Sequence, residues 1–432
     1  MPEQLLHLDS RKSLTKALMV FSLALALVWS WFVVRWYLGN TMAEYLSAEQ
    51  SNAEAARLAV RLAPQDPLTH WRLGDFIQRR LSPDQLPSAV KEYETAVSLS
   101  PNDYRFWMAL GTCLEQIGED DKAEQALRRS LALAPSYSYP RWYLGNLLLR
   151  SARYEEAFAE LKQASQADSN LRPQLFNLAW EVYNKDPNAL KVAVGNEAEV
   201  RAQFSLYLVG RQRFEQGVEL WNGLSVEEKR ANQKNGEAVI AALIAAKHFH
   251  EAMNVWNDLA PRPAARAALG RLVDGGFEDN ISSSLRAVFG WQVQSTQHAQ
   301  IGIDPNQAHG GNRSLRIAFG VTTKLDSLEI SQLIAVVPDT QYDLQYFVRT
   351  EKLKSAATPR VTITDATDGS ILATSPAAPE ATDWQAFSVN FKTGTKSQAV
   401  VMSLTRASCY ESDICPIFGT VWYDDFNLQP RN

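Results

Sequence analysis

The chain has 432 residues and a formal net charge of −5, with 46% hydrophobic and 21% charged residues. That length allows two or three domains. The slightly acidic balance excludes the broadly basic surface that nucleic-acid binding needs.

Residues 17–34 form an apolar run broken only by Ser22 and Ser30. As a helix, 18 residues rise about 27 Å, close to the thickness of a bilayer's hydrocarbon core. Trp29, Trp31, Trp36 and Tyr37 gather at its C-terminal end, as interfacial aromatics do. Arg11, Lys12 and Lys16 precede the run and Arg35 alone follows it closely. The positive-inside bias therefore predicts a cytoplasmic N-terminus (1–16), a span at 17–38, and everything later outside the cytoplasm, in an envelope or periplasmic compartment. A cleaved signal peptide is the competing reading. Its apolar region is usually shorter and ends in small residues, whereas this one ends in Trp-Phe-Val-Val-Arg-Trp-Tyr.

Downstream, Leu73-Gly74, Leu110-Gly111 and Leu144-Gly145 are in step, their glycines 37 and then 34 residues apart. Ala96, Ser130 and Ala164 follow at matching offsets, and Pro64, Pro101 and Pro135 keep the same spacing. A period of this length predicts stacked helical hairpins. Small residues let two helices approach closely, and proline ends each hairpin. The pattern resembles the tetratricopeptide repeat, best over Trp107, Leu110, Gly111, Gly118, Ala123 and Pro135. Beyond Ser169 it decays to paired amphipathic segments in which Gly217 and Ala252 take the small-residue slot and Trp221 and Trp256 follow. The expected solenoid covers 45–260. In that family the first helix of each hairpin supplies ligand contacts. By register the resemblance assigns a protein-binding groove to Trp71, Asp75, Arg79, Arg105, Thr112, Gln116, Tyr139, Trp142, Asn146 and Arg150. Aromatics and arginines are the types enriched at binding hot spots. They do not reproduce the lysine and asparagine carboxylate clamp that grips chaperone tails.

Past a linker at 261–271 the hydrophobic period changes from about 3.6 to 2. Alternation in Leu315-Ile317-Phe319, Tyr342-Leu344-Tyr346-Val348, Phe387-Val389-Phe391 and Val400-Met402-Leu404 predicts about eight or nine short strands in an antiparallel sandwich. The words DGGFED (274–279), GGNRSLRIAF (310–319), DTQYDLQYFVRT (339–350), TDWQAFSVNF (382–391) and VWYDDFNL (421–428) resemble, in that order, the galactose-binding-like jelly rolls found among carbohydrate-binding modules. The fold class is thus multidomain: a transmembrane helix, an all-α repeat solenoid, and an all-β jelly roll over 272–432.

The resemblance implies a structural calcium held by the opening Glu278 and by Asp424 or Asp425. Strand parity favours Asp424, placing it on one face with Trp422, Phe426 and Leu428, where a bare carboxylate needs a cation or several donors. Backbone N–H groups are the alternative partners. Exposed rings are the usual sugar platforms in such modules. Trp291, Phe347 and Tyr423 are the candidates, the last two because their parity opposes the apolar set, while Trp384 reads as core. Cys409 and Cys415 bracket a short loop that would close a disulfide in an oxidising compartment, and Cys113 reads as a small core residue.

No HExxH, GxSxG, phosphate loop or dinucleotide fingerprint occurs. His248 and His250 lie two apart on a helix and face different directions. Asp424 and Asp425 alternate faces and cannot flank one glycosidic bond. The expectation is a non-enzymatic, membrane-anchored scaffold outside the cytoplasm: the groove holds a partner protein, and the jelly roll contacts a glycan or another subunit, in envelope or exopolysaccharide assembly. A structural accessory subunit without a sugar ligand, and a glycan-active enzyme with a dispersed site, are the rival readings.

Overall fold

A computed structural model describes residues 13–45, 53–80, 83–183, 186–260, 262–279, 288–294, 299–320, 328–407, 409 and 415–431. The chain divides into two compact bodies, Met1–Gly195 and Asn196–Asn432.

The first body opens with helix α1 (Ser13–Tyr45), which among the described residues is the one helix long and apolar enough to cross a membrane. From Leu18 to Val34 its large side chains are uncovered; Trp29 is 72% exposed. Helix α2 (Ala53–Leu62) follows. Then come the hairpins α3 (Pro67–Arg79) with α4 (Leu86–Leu99), α5 (Tyr104–Gln116) with α6 (Asp120–Leu133), and α7 (Ser138–Arg150) with α8 (Tyr154–Ala167). The pair α9 (Arg172–Val182) and α10 (Pro187–Val194) closes this body. Asp66 and Asp103 start α3 and α5 by accepting the N–H groups of Leu68 and Arg105. The periodic glycines are contact points. A Cβ on Gly74 would lie 2.7 Å from the Tyr93 ring, one on Gly111 2.7 Å from Leu127, and one on Gly145 2.6 Å from Leu161.

A second repeated device uses chemically different residues. The position four before each glycine reaches back to the carbonyl of the preceding proline: His70 to Pro64 at 3.0 Å, Trp107 to Pro101 at 2.8 Å, Arg141 to Pro135 at 3.4 Å. His70 and Arg141 also hold a glutamate of the following helix, Glu92 at 2.6 Å and Glu160 at 2.7 Å. Burial opposes a charge on His70, but Glu92 and the Pro64 carbonyl more than offset it, so its pKa is raised.

The second body begins with α11 (Ala198–Gly210), α12 (Phe214–Asn222), α13 (Val226–Ala231), α14 (Gln233–Ala245) and α15 (Phe249–Leu259). The repeat chemistry continues here. The turns inside the hairpins use left-handed residues, Gln212 (φ 61°) and Lys247 (φ 65°), as Gly118 (φ 81°) and Ala152 (φ 58°) do earlier. Trp221 is fully buried against Gly236 and donates its indole N–H to Asp258 at 3.1 Å, which also holds Lys229 at 2.9 Å. These helices share a core with Ala267, Phe289 and Ala335. Asn257 clasps Ala267 through both its amide atoms (2.9 and 2.8 Å), and the His250 ring meets the Val336 carbonyl at 2.9 Å. Residues 196–260 are therefore packed with the strands that follow.

Among the described residues, ten strands make two five-stranded antiparallel sheets. One contains β1 (Gln292–Gln294), β4 (Glu329–Ala335), β9 (Ala399–Thr405), β6 (Arg360–Asp365) and β7 (Ile371–Thr374), in that order. The other runs β2 (Ala299–Asp304), β3 (Ser314–Phe319), β10 (Phe418–Pro430), β5 (Gln341–Lys354) and β8 (Thr382–Lys392). Leu315, Ile317, Tyr346, Val348, Val361, Met402 and Val421 fill the space between the two sheets. In β10 the register slips between Asp424 and Asn427, where Asp425 has φ 50°. A bulge adds one residue to a strand and reverses the parity beyond it. Before it Val421 and Tyr423 point inward; after it Phe426 and Leu428 do. Trp422 and Asp424 thus lie on the face opposite Phe426 and Leu428, which corrects the parity expected from simple alternation. Cys409 and Cys415 are joined, their Cα atoms 5.3 Å apart, and Arg406 donates to the Cys415 carbonyl at 2.8 Å. Cys113 is a buried free thiol, its pKa pushed up to about 11 by burial.

Candidate functional site

The outer face of the β2-β3-β10-β5-β8 sheet carries two adjacent rows of side chains set by strand register. In the first, Gly302, Arg316, Trp422 and Arg349 are successive cross-strand partners. In the second, Asp424, Phe347 and Ala386 are partners. Two residues along a strand separate the rows, about 7 Å. The Arg349 guanidinium covers the Trp422 ring at 5.7 Å and pairs with Asp383 at 3.4 Å. The Trp422 indole donates to Asp304 at 2.9 Å, and Arg316 stands 3.9 Å from the same carboxylate. Burial works against the Asp304 charge, yet the Trp422 indole, the Asn306 N–H and Arg316 leave its pKa below the ordinary value. In the second row the His309 ring stacks on Phe347, centroids 3.5 Å apart, and meets the edge of Trp384 at 5.9 Å.

This face joins the partly exposed rings of Phe347 and Trp384, and a Trp422 ring that is itself only 6% exposed, to ionic groups held in fixed directions. Such a surface can stack on the apolar face of a pyranose and hydrogen-bond its hydroxyls from the side. Of the predicted platforms, Phe347 lies here. Trp291 and Tyr423 do not: they are 4% and 1% exposed. Trp291 packs between Phe277 and Phe426 and donates to the Asp274 carbonyl at 2.8 Å, so it fastens the start of the domain to β10. Tyr423 precedes the bulge and points into the core beside Tyr346. The sequence reads Trp384 and Trp422 as core and gives no mark to Arg349, Arg316 or His309, because their juxtaposition depends on pairing strands distant in sequence.

Beneath the second row lie the acidic groups. Asp424 accepts N–H groups from His309 (2.7 Å), Gly310 (3.2 Å) and Asp425 (2.8 Å). Glu278 accepts those of Asn312 (2.7 Å) and Arg313 (3.2 Å), and Asp425 meets the His309 ring at 2.7 Å. Both loop glycines are needed: a Cβ on Gly310 would lie 2.5 Å from Asp425, and one on Gly311 (φ 60°) 2.0 Å from Glu278. These N–H bonds hold the pKa of Glu278 down, that of Asn312 foremost. Asp424 differs. Burial, with the adjacent Asp425 charge, pushes it up to about 6 despite its three donors. Its charge is under-compensated, which suits a cation. Among the described residues no three His, Cys, Asp or Glu side chains gather as a metal cage. A calcium beside Glu278 and Asp424 would therefore draw further oxygens from the main chain or water.

In the repeat body, Gln78 of α3 reaches Thr112 at 3.4 Å and Gln116 at 3.3 Å on α5, and Arg150 of α7 pairs with Glu115 of α5. These links line up the first helices of successive hairpins as one surface. Asp75 is tied to Arg72 and Arg79, Arg105 to its own helix cap Asp103, and Asn146 to the Trp142 carbonyl. Tyr139 is 50% exposed beside Tyr143. Trp71 is half-buried against Phe106, and Trp142 only 8% exposed. Trp142 is thus a packing residue, whereas Tyr139, Arg79, Gln116 and Arg150 face solvent.

Residues 271–407 match the family described as carbohydrate binding domain, and residues 81–143 match the tetratricopeptide repeat. The peroxisomal targeting signal receptor of Kluyveromyces lactis is 28% identical over 108 residues, 25% of this chain and 19% of that protein. The chain therefore spans about a fifth of that relative's length. Among solved structures, MamA from Desulfovibrio magneticus RS-1 is similar at 18% identity, covering 36% of this chain and 90% of that one, with a TM-score of 0.32. A CBM4 structure is similar at 13% identity, covering 37% and 98%, with a TM-score of 0.28. The xylanase 10B modules of Clostridium thermocellum complexed with xylohexaose are similar at 16% identity, covering 38% and 29%, with a TM-score of 0.26. By its matched segments, this chain joins a region that matches the tetratricopeptide repeat to a β-sandwich that matches the carbohydrate binding domain model.

Proposed function

We infer that this protein is a membrane-anchored adaptor outside the cytoplasm. Its repeat surface takes a partner protein, and its sandwich takes a glycan on the outer face of the β2-β3-β10-β5-β8 sheet, in envelope polysaccharide assembly. The observation that carries this reading is the pair of rows joining Arg316, Trp422 and Arg349 to Asp424 and Phe347. A sheet face with no ligand is ordinarily solvated polar surface; this one bears Phe347 and Trp384 gathered about the His309 ring, beside a Trp422 ring covered by the Arg349 guanidinium. The basic flank of α1 supports the N-terminus-inside orientation. The joined Cys409 and Cys415 support an oxidising compartment. A structural calcium beside Glu278 and Asp424 completes the proposal, fixing the loop that carries His309 to Phe347.

The test is binding of the full chain, in detergent, to a panel of polysaccharides (xylan, cellulose, mixed-linkage glucan, peptidoglycan), repeated with Phe347→Ala/Arg349→Ala. The expected result is retention on at least one polymer and a loss of affinity of about tenfold or more in the variant. Its melting temperature should stay close to the parent's, because both side chains lie outside the core. If no polymer retains the parent chain, the accessory-subunit reading replaces this one. If the variant binds as well as the parent, the sugar lies on another surface.

A further inference from the structure

Helix α1 does not end where its apolar run ends. It continues for 11 residues past Val34, and this continuation is packed. Residues 35–40, Arg-Trp-Tyr-Leu-Gly-Asn, are identical to residues 141–146 of α7, and Gly39 stands 35 residues before Gly74, in step with the repeat. The resemblance extends to contacts. A Cβ on Gly39 would lie 2.7 Å from the Ala63 Cβ and 2.9 Å from the Ala59 carbonyl, just as one on Gly145 would press on Leu161 and the Ala157 carbonyl. Ala43, Ala59 and Ala63 are buried to within 1%.

Polar ties add to this. Arg35 donates to the Leu62 carbonyl at 3.1 Å and to that of Arg61, Asn40 donates to Asp66 at 2.8 Å, and Arg72 of α3 donates to the Ala43 carbonyl at 2.8 Å. Arg35 is the residue four before the glycine, the position of His70, Trp107 and Arg141. Here it caps the end of α2.

We propose that the membrane helix is itself the first helix of the repeat stack, so the scaffold is fused to the bilayer through a shared helix and the turn between its first two hairpins, 63–66, lies against the lipid headgroups. This rests on α1 spanning a membrane. From Val34 to Gly39 a helix rises about 7.5 Å, too little for any tether. The last turn of α2 runs back down towards Arg35, so Arg61 and Gln65, both exposed, sit at headgroup level. The shared helix also bears on processing: only cleavage beyond Ala43 would remove both Gly39 and Ala43 and strip the cover from Ala59 and Ala63. The first repeat needs residues 35–45 of α1 retained.

The test places a fluorophore on Gln65→Cys, or on Arg80→Cys at the far end of α3, in full-length protein reconstituted in phosphatidylcholine–phosphatidylglycerol nanodiscs carrying headgroup nitroxides. Cys113 is buried and Cys409 and Cys415 are joined, so the unsubstituted chain supplies the background. Quenching is expected to be several-fold stronger at 65 than at 80. Inserting Gly-Ser-Gly-Ser between Val34 and Arg35 should erase most of that difference while leaving the protein in the disc. Equal quenching at both positions in protein that remains embedded would overturn the shared helix and leave the anchor standing. Protein that never enters discs, or that is recovered from membranes lacking its first 45 residues, would overturn the anchor and the shared helix together.

Discussion

Raising the pH from 4 to 6.5 in the presence of chelator is expected to lower the melting temperature of the sandwich body, and millimolar calcium is expected to cancel that fall. The native carboxyl of Asp424 titrates near 6 against an ordinary value of 3.8, because it is buried beside Asp425. Its folded pKa is raised, so between these values the native state holds the proton more tightly than the unfolded chain. The stability this provides is fully present below about pH 4, is lost as pH rises through 6, and does not return above it. The shift corresponds to at most about 3 kcal/mol, less where solvent screens the charge, and so to no more than roughly 6–12 °C for a body of this size. A cation beside the carboxylate supplies the missing compensation and stabilises the folded state by mass action. Other carboxylates titrate in the same range, so the calcium and chelator curves are compared with each other. Superimposed curves at neutral pH would show that Asp424 relies on its backbone donors alone. Differential scanning fluorimetry of the full chain, following the second transition, makes the comparison.

Gly145→Val is expected to cost the repeat body about 2 kcal/mol. The new Cβ would meet Leu161 Cγ at 2.6 Å and, less forgivingly, the Ala157 backbone carbonyl at 3.1 Å. Overpacking of this kind costs about 1–3 kcal/mol, offset only in part by relief of glycine's conformational cost, about 0.5–1 kcal/mol. Leu161 is fully buried, so moving aside means pushing on its packed neighbours rather than into solvent. Because a repeat touches only its neighbours, the damage should stay local. Limited proteolysis should cut first between α7 and α8 while the sandwich transition holds its temperature. Gly210→Ala is the control. No atom lies within 4 Å of its Cβ position, so stability there should rise slightly. Destabilisation of both variants alike would mean that the periodic glycines serve chain flexibility rather than helix contact.

What the sequence discloses follows from how local each signal is. Gly74, Gly111 and Gly145 announce the hairpins because a helix–helix contact at a fixed offset leaves a fixed vacancy. The alternation in β3, β5 and β9 gives the sandwich for the same reason. Gly39 belongs to this series but is camouflaged: Trp36 and Tyr37 read equally well as the aromatic edge of a membrane span, and in the proposed shared helix both descriptions apply. Parity placed Phe347 on the outer face and failed at Tyr423, since the bulge at Asp425, a residue with positive φ, reverses the parity of β10 on one side of it relative to the other. Arg349 and Trp384 carry no local mark at all. An arginine in a strand looks solvated and a tryptophan looks buried until β10 is laid between β3 and β5. Trp142 misled in the opposite sense: one position off the Trp107 register, it turns from the surface into the hairpin contact.

In the proposed role, one chain ties a membrane to a glycan. The most direct measurement of this uses liposomes containing the full-length protein, passed over beads bearing the polysaccharide that the chain binds best, with retention read from a lipid dye. Liposomes with the parent protein should be retained and released by free polysaccharide. Liposomes with Phe347→Ala/Arg349→Ala should flow through, although they hold as much protein. Equal retention of both would contradict the account, as would protein left on the beads while the lipid passes by.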